Sequence, residues 1–460
     1  VTDSSQSVPL DGMQMAVRQP RPLSPLREHV RDTFWFAPLG GLLGAGVLDR
    51  ICAGADRTLV GALREGREFG RIEALIRFAE QAGGVVNTIG SAVLTLTGVV
   101  FSISLVALQM ASGQWSQRIV RLYVRDRIAK ATFAAFLATF AFTLLAQFRY
   151  EDGMRARTVH TVPFVTSAVS LVLVAASLVL FIAYVNSTMM FLRISHVVDR
   201  ISQEAGRLLT LPTRPYRARE GAGQLGALLG TEVYRGPAGV LRDVHVARVC
   251  RVARRHGVVV HLLPRIGDFL VPGTRIVALH AERGAAGGTG RRVDTARVGR
   301  ACNRALSTGV ERTFHQDLAF GLRQLVDVAL RALSPAVNDP TTAVQCLDRV
   351  QQFLAEAGTR PLGLLLYGDR AGAVRLVQDL PTWRDLVRLG FVEIRNVAPG
   401  NPQVTRRMRA ALEDLVGMVP EERRGPLREQ LSLLEQAVER KTDDTRVREF
   451  ALTADRQGIG

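Results

Sequence analysis

Nine residues between Thr88 and Ser116 obey a single rule of spacing. Thr88, Ser91, Thr95, Gly98, Ser102, Leu105, Gln109, Ser112 and Ser116 are separated alternately by three and four positions. That spacing sets them along one face of a helix with a 3.5-residue repeat. Eight of the nine are small or polar, and the positions between them are largely apolar, including Ile89, Val93, Leu96, Val100, Phe101 and Ile103. Two kinds of chemistry suit such a seam. Small residues let helices approach closely, while Ser and Thr hydroxyls bond back to their own helix or across to a neighbour. Alternatively, several copies surround an axis and present the hydroxyls to water as a pore lining. A shorter seam of Thr132, Thr139 and Thr143 follows downstream.

A second constellation lies between Glu311 and Asp348. Asp317 to Leu333 has the spacing of an amphipathic helix, with Leu318, Leu322, Leu325, Val328, Ala329 and Ala332 on one side. Ser334-Pro335 ends it. Asn338-Asp339-Pro340 then starts another helix, with Asp339 suited to the N-cap and Pro340 to the first turn. Arg312, Ser334, Asn338 and Asp339 are therefore candidate ligand-binding residues, with a ligand meeting Asn338 and the open amides of a helix N-terminus. A plain helix-turn-helix corner accounts for the same residues. His315 and Asp317 lie close to Arg312, but the chain holds no HExxH, GxSxG or SxxK motif, so catalysis is not expected. Cys52, Cys250, Cys302 and Cys346 stand singly and fit free thiols in a reducing compartment. No cofactor and no metal site is expected.

These residues need elements to hold them, and hydropathy supplies the first four. The chain is 47% hydrophobic, yet it carries 59 basic against 42 acidic residues. The apolar residues crowd into 34–190. Four stretches have the length and freedom from charge of spanning helices: 34–52, 85–112, 131–148 and 158–192. The first is rich in glycine (Gly40, Gly41, Gly44, Gly46) and ends on Asp49 and Arg50. Spans two and three contain no ionisable residue, and His160 sits at the start of span four. Proton-coupled carriers usually need an intramembrane carboxylate or histidine, so a passive conduit fits better.

Basic residues set the orientation. Arg18, Arg21, Arg27 and Arg31 precede span one. Arg118, Arg121, Arg125, Arg127 and Lys130 lie between spans two and three, and Arg193, Arg200 and Arg207 follow span four. All three groups are expected in the cytoplasm. The opposite side has Arg149, Arg155 and Arg157 in one loop and Arg57, Arg64, Arg67, Arg71 and Arg77 in the other, which opposes this count, though five acids balance it. Arg67 to Gln81 has helical spacing with Phe69, Ile72 and Ile76 on one face. It is expected to lie on the outer surface or to cap the bundle. Val1 to Val17 do not read as a cleavable signal peptide.

The remaining chain reads as soluble. Ile194, Val197, Val198, Ile201 and Leu208 continue a helix out of span four, and Arg214 to Gly226 reads as a linker. Gly257 to Leu263 and Arg275 to Leu279 read as strands around a Gly267-Asp268 turn. That turn is similar to a hairpin of biotinyl and lipoyl carrier domains, but it has no lysine nearby to modify. The glycine-rich run 282–292 lacks the Lys-Ser/Thr of a P-loop and reads as a loop. Residues 403–418 and 421–440 read as a terminal antiparallel helix pair.

Two segments then look familiar. They are Val99 to Gln109, continuing through Gln114 to Arg118, and the run Glu311-Arg312-Thr313, Leu333-Ser334-Pro335, Asn338-Asp339-Pro340. Together they resemble the bacterial predicted-membrane-protein family catalogued as domain of unknown function family 2254. The chain departs from that family at Ala238-Gly239-Val240-Leu241, where a Gly-Tyr-Val-Gln-like strand is expected. The resemblance implies a polytopic membrane protein and supplies no activity.

The expected architecture is a membrane all-α bundle of four transmembrane helices plus a cytoplasmic α+β soluble region. It divides into a tail (1–33), the membrane domain (34–192), a helical extension with a small β-containing module (193–292) and a mainly helical domain (293–460). The expected function is an oligomeric channel or passive conduit of the bacterial inner membrane with a regulatory soluble region. A membrane-anchored sensor or scaffold is the alternative. The net charge of +17 suits anionic lipid headgroups, and no nucleic-acid-binding signature is present.

Overall fold

The structure is a computed structural model. It describes residues 13–20, 22–24, 30, 32–114, 123–150, 159, 161–210, 212–217, 224–282, 293–369 and 371–458. Arg21, Arg27, Arg31, Ser116, Arg118, Arg121, Arg155, Arg157, His160 and the glycine-rich run 283–292 lie outside these residues, as does the side chain of Ser112. The chain divides into two compact units, residues 25–194 and residues 1–24 with 195–460.

The first unit holds four helices long and apolar enough to cross a membrane. They are α1 (Phe36–Glu65), α2 (Phe69–Gln114), α3 (Arg127–Gln147) and α4 (Phe164–Leu192). Two are longer than hydropathy alone suggests. α1 continues past Cys52 to Glu65, because nothing after Asp49 and Arg50 breaks a helix. α2 is a single helix of 46 residues that starts at Phe69, about 69 Å of rise against the ~30 Å of a hydrocarbon core. The amphipathic stretch after Arg67 is therefore the first part of α2. Its Ile72 and Ile76 pack with Val60 and Val162 and close one end of the bundle.

Close approach explains the glycines. A Cβ on Gly41 would lie 2.4 Å from the carbonyl oxygen of Ala134. The backbones of α1 and α3 therefore meet with no side chain between them, the usual use of glycine between membrane helices. The bundle interior is partly polar. Every buried residue of α4 carries a hydroxyl: Thr166, Ser167, Ser170, Ser177, Tyr184 and Thr188. α4 meets Thr132 and Thr139 of α3 and Ser104 of α2. Thr139 bonds Ser177 at 2.9 Å, Thr132 donates to the Leu180 carbonyl at 3.2 Å, and Tyr184 bonds Ser104 at 2.6 Å.

The second unit is α+β. Its strands are β1 (Gln14–Ala16), β2 (Thr213–Pro215), β3 (Leu228–Val233), β4 (Gly239–Val244), β5 (Val258–Leu262), β6 (Phe269–Leu270), β7 (Arg275–Ala281), β8 (Leu306–Gly309), β9 (Leu364–Gly368) and β10 (Val374–Asp379). Its helices are α5 (Ile194–Leu209), α6 (Val246–His256), α7 (Thr295–Asn303), α8 (Leu318–Ala332), α9 (Pro340–Ala357), α10 (Trp383–Val397), α11 (Pro402–Met418), α12 (Glu421–Lys441) and α13 (Thr445–Ala451). A seven-stranded sheet runs β2-β1-β9-β10-β5-β7-β3, and a three-stranded sheet runs β6-β4-β8.

The large sheet joins distant segments. β1 precedes the membrane helices, yet it pairs in parallel with β9 and antiparallel with β2. β5 and β7 come from one expected module and β9 and β10 from the next, so the boundary at 292 does not divide this sheet. The periodic helices appear where spacing places them. α8 buries Leu318, Leu322, Leu325, Val328, Ala329 and Ala332. α11 and α12 form the terminal pair.

Candidate functional site

The hydroxyl seam lies on the outward face of the membrane unit. Thr88, Ser91, Thr95, Gly98, Ser102, Leu105 and Gln109 are all exposed, flanked by exposed Leu94, Val99, Phe101 and Val106. The opposite face of α2 closes the bundle through Val86, Gly90, Val93, Val100 and Ala107. From Thr88 to Gln109 the seam rises about 31 Å, the thickness of a hydrocarbon core. Its hydroxyls bond to their own helix. Thr88 donates to the Gly84 carbonyl at 3.0 Å, Ser91 to Thr88 at 2.8 Å, Thr95 to Ser91 at 3.2 Å and Ser102 to Gly98 at 3.0 Å. The Gln109 amide has no hydrogen-bond partner among the described residues.

Two buried carboxylates occupy the inside of the unit, and hydropathy did not reveal them. Asp49 and Asp56 are 5% and 2% exposed. They stand seven residues apart on the face of α1 that also buries Ala45, Cys52 and Val60. Asp56 caps a different helix. It accepts from the Val165 amide at 2.7 Å, the Thr166 amide at 3.3 Å and the Thr166 hydroxyl at 2.6 Å. An ionised acceptor at a helix N-terminus is favoured both by the amides and by the helix dipole. Asp49 forms an ion pair with Arg149, which also donates to the Asp49 carbonyl at 3.1 Å. One oxygen of Asp49 is buried without a partner among the described residues. Buried acids inside membrane helices are functional candidates by default. Here one accepts from three donors and the other pairs with an arginine, bonds that tie α1 to its neighbours. Their signal in the sequence was the interval of seven within a helix that outlasts the first apolar stretch.

In the α+β unit the structure separates residues that the sequence grouped. Arg312 lies before the N-terminus of α8, and Ser334, Asn338 and Asp339 lie beyond its C-terminus. The 15 residues of α8 between them put roughly 22 Å between the two ends. At the far end the corner satisfies itself. Ser334 donates to the Arg331 carbonyl at 2.7 Å, and the Asn338 amide, at φ 46°, donates to the Ser334 carbonyl at 2.9 Å. Asp339 caps α9, accepting from the Thr342 amide at 3.0 Å and its hydroxyl at 2.5 Å. A carboxylate already fills the N-terminus where an anionic ligand would sit, so the geometry favours the plain corner.

At the near end, Arg312 clamps Asp317 with two bonds of 2.8 and 2.9 Å. Burial pushes the Asp317 carboxyl up despite the guanidinium beside it. Gly267 covers the pair at φ 98°, and a Cβ there would lie 2.6 Å from the Asp317 carboxylate. The Gly267-Asp268 turn is therefore a fold element shaped around an ion pair. His315 is not part of it. Its Nε2 bonds Asp243 at 3.1 Å, beside the Gln316 amide at 2.5 Å. The other Asp243 oxygen accepts from the Leu23 amide at 3.0 Å. Asp243, unmarked in the sequence, thus ties Leu23, upstream of the four long helices, to β4. The His315–Asp243 pair holds no hydrogen-bonded nucleophile among the described residues. No group of three or more His, Cys, Asp or Glu side chains is placed to hold a metal among the described residues.

The sequence is similar to those of other proteins. The model of the predicted membrane protein family DUF2254 matches residues 31–414. The chain is 28% identical over 391 residues to the uncharacterized protein Rv1290c of Mycobacterium tuberculosis and, at the same identity, to the uncharacterized protein Mb1321c of Mycobacterium bovis. Each match covers 81% of this chain and 71% of the relative. No solved structure matches the chain.

Proposed function

We propose that this chain, which belongs to the DUF2254 family of predicted membrane proteins, assembles with copies of itself through α2 into a passive conduit of the inner membrane. The observation that carries the reading is the outward seam, a hydroxyl-bearing face as long as a bilayer core is thick, left open by its own bundle. Lipid offers no partner to the Gln109 amide, whereas a second copy or axial water does. The two buried carboxylates are consumed by structural bonds, which favours passive movement over proton coupling. The soluble unit then acts as a regulatory region, and the chain is not an enzyme.

The same-side placement of the two tails supports cytoplasmic termini. β1, upstream of the four helices, and β9, downstream of them, share one sheet, and a sheet held together by backbone bonds requires an even number of crossings. The basic residues near the helix ends favour both tails inside. A second reading, a membrane-anchored sensor or scaffold, is favoured by one fact. The seam hydroxyls already bond their own helix, so that face tolerates lipid.

Cross-linking separates the two. Ser91→Cys and Ser102→Cys variants of the full chain, oxidised in native membranes, are expected to give covalent dimers. Reconstituted protein is expected to conduct in planar bilayers, and Thr95→Leu with Ser102→Leu is expected to change that conductance. A monomer that neither cross-links nor conducts removes the conduit and leaves the scaffold.

A further inference from the structure

Many arginines of the second unit face acids: Arg312, Arg323, Arg349, Arg375, Arg384, Arg407, Arg409 and Arg456 all form ion pairs. Two adjacent helices carry rows of arginines that do not. α6 and α7 repeat one motif, Ala-Arg-Val-x-Arg-x-x-x-Arg, at 247–255 and again at 296–304. Each helix buries a narrow strip of small and apolar residues: Val246, Val249, Cys250 and Ala253 in α6, and Val298, Gly299 and Cys302 in α7. Spacing of three and four then turns Arg248, Arg251 and Arg255 of one helix, and Arg297, Arg300 and Arg304 of the other, away from the core. All six are exposed, and none has an acidic partner among the described residues. The Arg248 side chain donates to the Arg304 carbonyl at 3.2 Å, which sets the two rows side by side. Neither helix contains an acid.

We infer that the paired arginine rows of α6 and α7 form a docking face for an anionic phospholipid surface. A chain anchored in a bilayer keeps its soluble unit within reach of headgroups at all times, and uncompensated arginines near an anionic leaflet are attracted to it. Guanidinium groups suit this partner because their planar fork binds phosphate oxygens in pairs. The small residues beneath the rows hold both helices close to the sheet, so the charges stand on a rigid platform. This inference needs only the membrane assignment. It stands or falls separately from assembly through α2.

The test uses the full chain in nanodiscs. An Arg254→Cys variant carries a fluorophore on the exposed flank of α6, and the four native thiols are buried and stay unlabelled. The nanodiscs contain headgroup-quencher lipid in phosphatidylcholine, with or without phosphatidylglycerol. Quenching is expected only with phosphatidylglycerol. It is expected to vanish near 1 M salt, where the screening length falls to about 3 Å. Each arginine replaced by glutamine is expected to lower the docked-to-undocked ratio roughly fivefold. The combined variant R248E/R251E/R297E/R300E is expected to abolish docking while its circular dichroism spectrum is unchanged. If that variant misfolds, the glutamine series and the salt titration still decide. Quenching that is absent, or equal in both lipids and indifferent to salt, overturns the inference. So does a gel shift with duplex nucleic acid that needs these arginines while lipid quenching is missing.

Discussion

Asp56→Ala should be among the most damaging single changes in the membrane unit. The carboxylate is 2% exposed and holds three donors at the start of α4. Removing it strands two backbone amides where water does not reach, at about 1–3 kcal/mol for each buried group left unsatisfied. The Thr166 hydroxyl can turn to another acceptor, so it adds little. Loss of a negative charge at a helix N-terminus adds roughly 0.3–1 kcal/mol. The total is ~2–7 kcal/mol, a large share of a folded protein's stability, which is on the order of 5–15 kcal/mol. Asp56→Asn keeps one carbonyl oxygen and loses the charge, so its cost should be about 1–2 kcal/mol. Stability in detergent, measured by denaturant titration with tryptophan fluorescence, should rank wild type above Asp56→Asn above Asp56→Ala. If Asp56→Ala matched wild type to within about 0.5 kcal/mol, the range of a neutral surface change, Asp56 would not be capping α4.

Other outcomes follow from the α+β unit. Arg312→Ala leaves Asp317 as an unpaired buried carboxylate and should cost about 3–5 kcal/mol at neutral pH. Burial holds the Asp317 carboxyl above its usual range, so its protonated form is the one the fold prefers. The stability lost by Arg312→Ala should therefore shrink as pH falls toward 4 and grow as pH rises past the carboxylate range, read from melting curves. Burial pushes the Cys250 and Cys302 thiols up to about 12. Neither should react with iodoacetamide in the native state near pH 8, and both should react after denaturation, counted by mass spectrometry. Arg456 holds the Asp414 carboxyl below its usual range. The stability from that pair is present above the ordinary carboxylate value and lost as pH falls through the depressed one, so Arg456→Ala should flatten the acid limb of the melting profile.

Much of the architecture was written in local patterns. Charge-free length located the membrane helices, and Asp339-Pro340 marked the start of α9 because cap chemistry acts within four residues. What stayed hidden depends on partners distant in sequence. β1 is three residues long and has meaning only beside β9, some 350 positions away. Asp243 looks like any strand residue until Leu23, His315 and Gln316 converge on it. Asp49 looked like the frayed end of a weak span and Asp56 went unmarked, because hydropathy averages charge without knowing that Arg149 and the start of α4 lie opposite.

The second span shows why periodicity alone does not choose an inside. α2 carries two repeats of the same pitch. One is the seam from Thr88 to Gln109. The other runs Val86, Gly90, Val93, Thr97, Val100, Ser104 and Ala107 on the opposite side. Both contain small residues and hydroxyls, so polarity does not separate them. Partners do. The second repeat meets Thr143 through Gly90 and Tyr184 through Ser104, contacts that exist because α3 and α4 bring a threonine and a tyrosine to matching heights. With that face filled, the bundle is closed without the seam. A helix that keeps a 3.5-residue repeat on both faces is built to be packed on both, and one chain supplies only one of those contacts. If copies assemble, bulky substitutions should therefore divide sharply by phase. Val93→Trp should unfold the monomer, whereas Ser102→Trp should leave the monomer folded and abolish the cross-linked dimer.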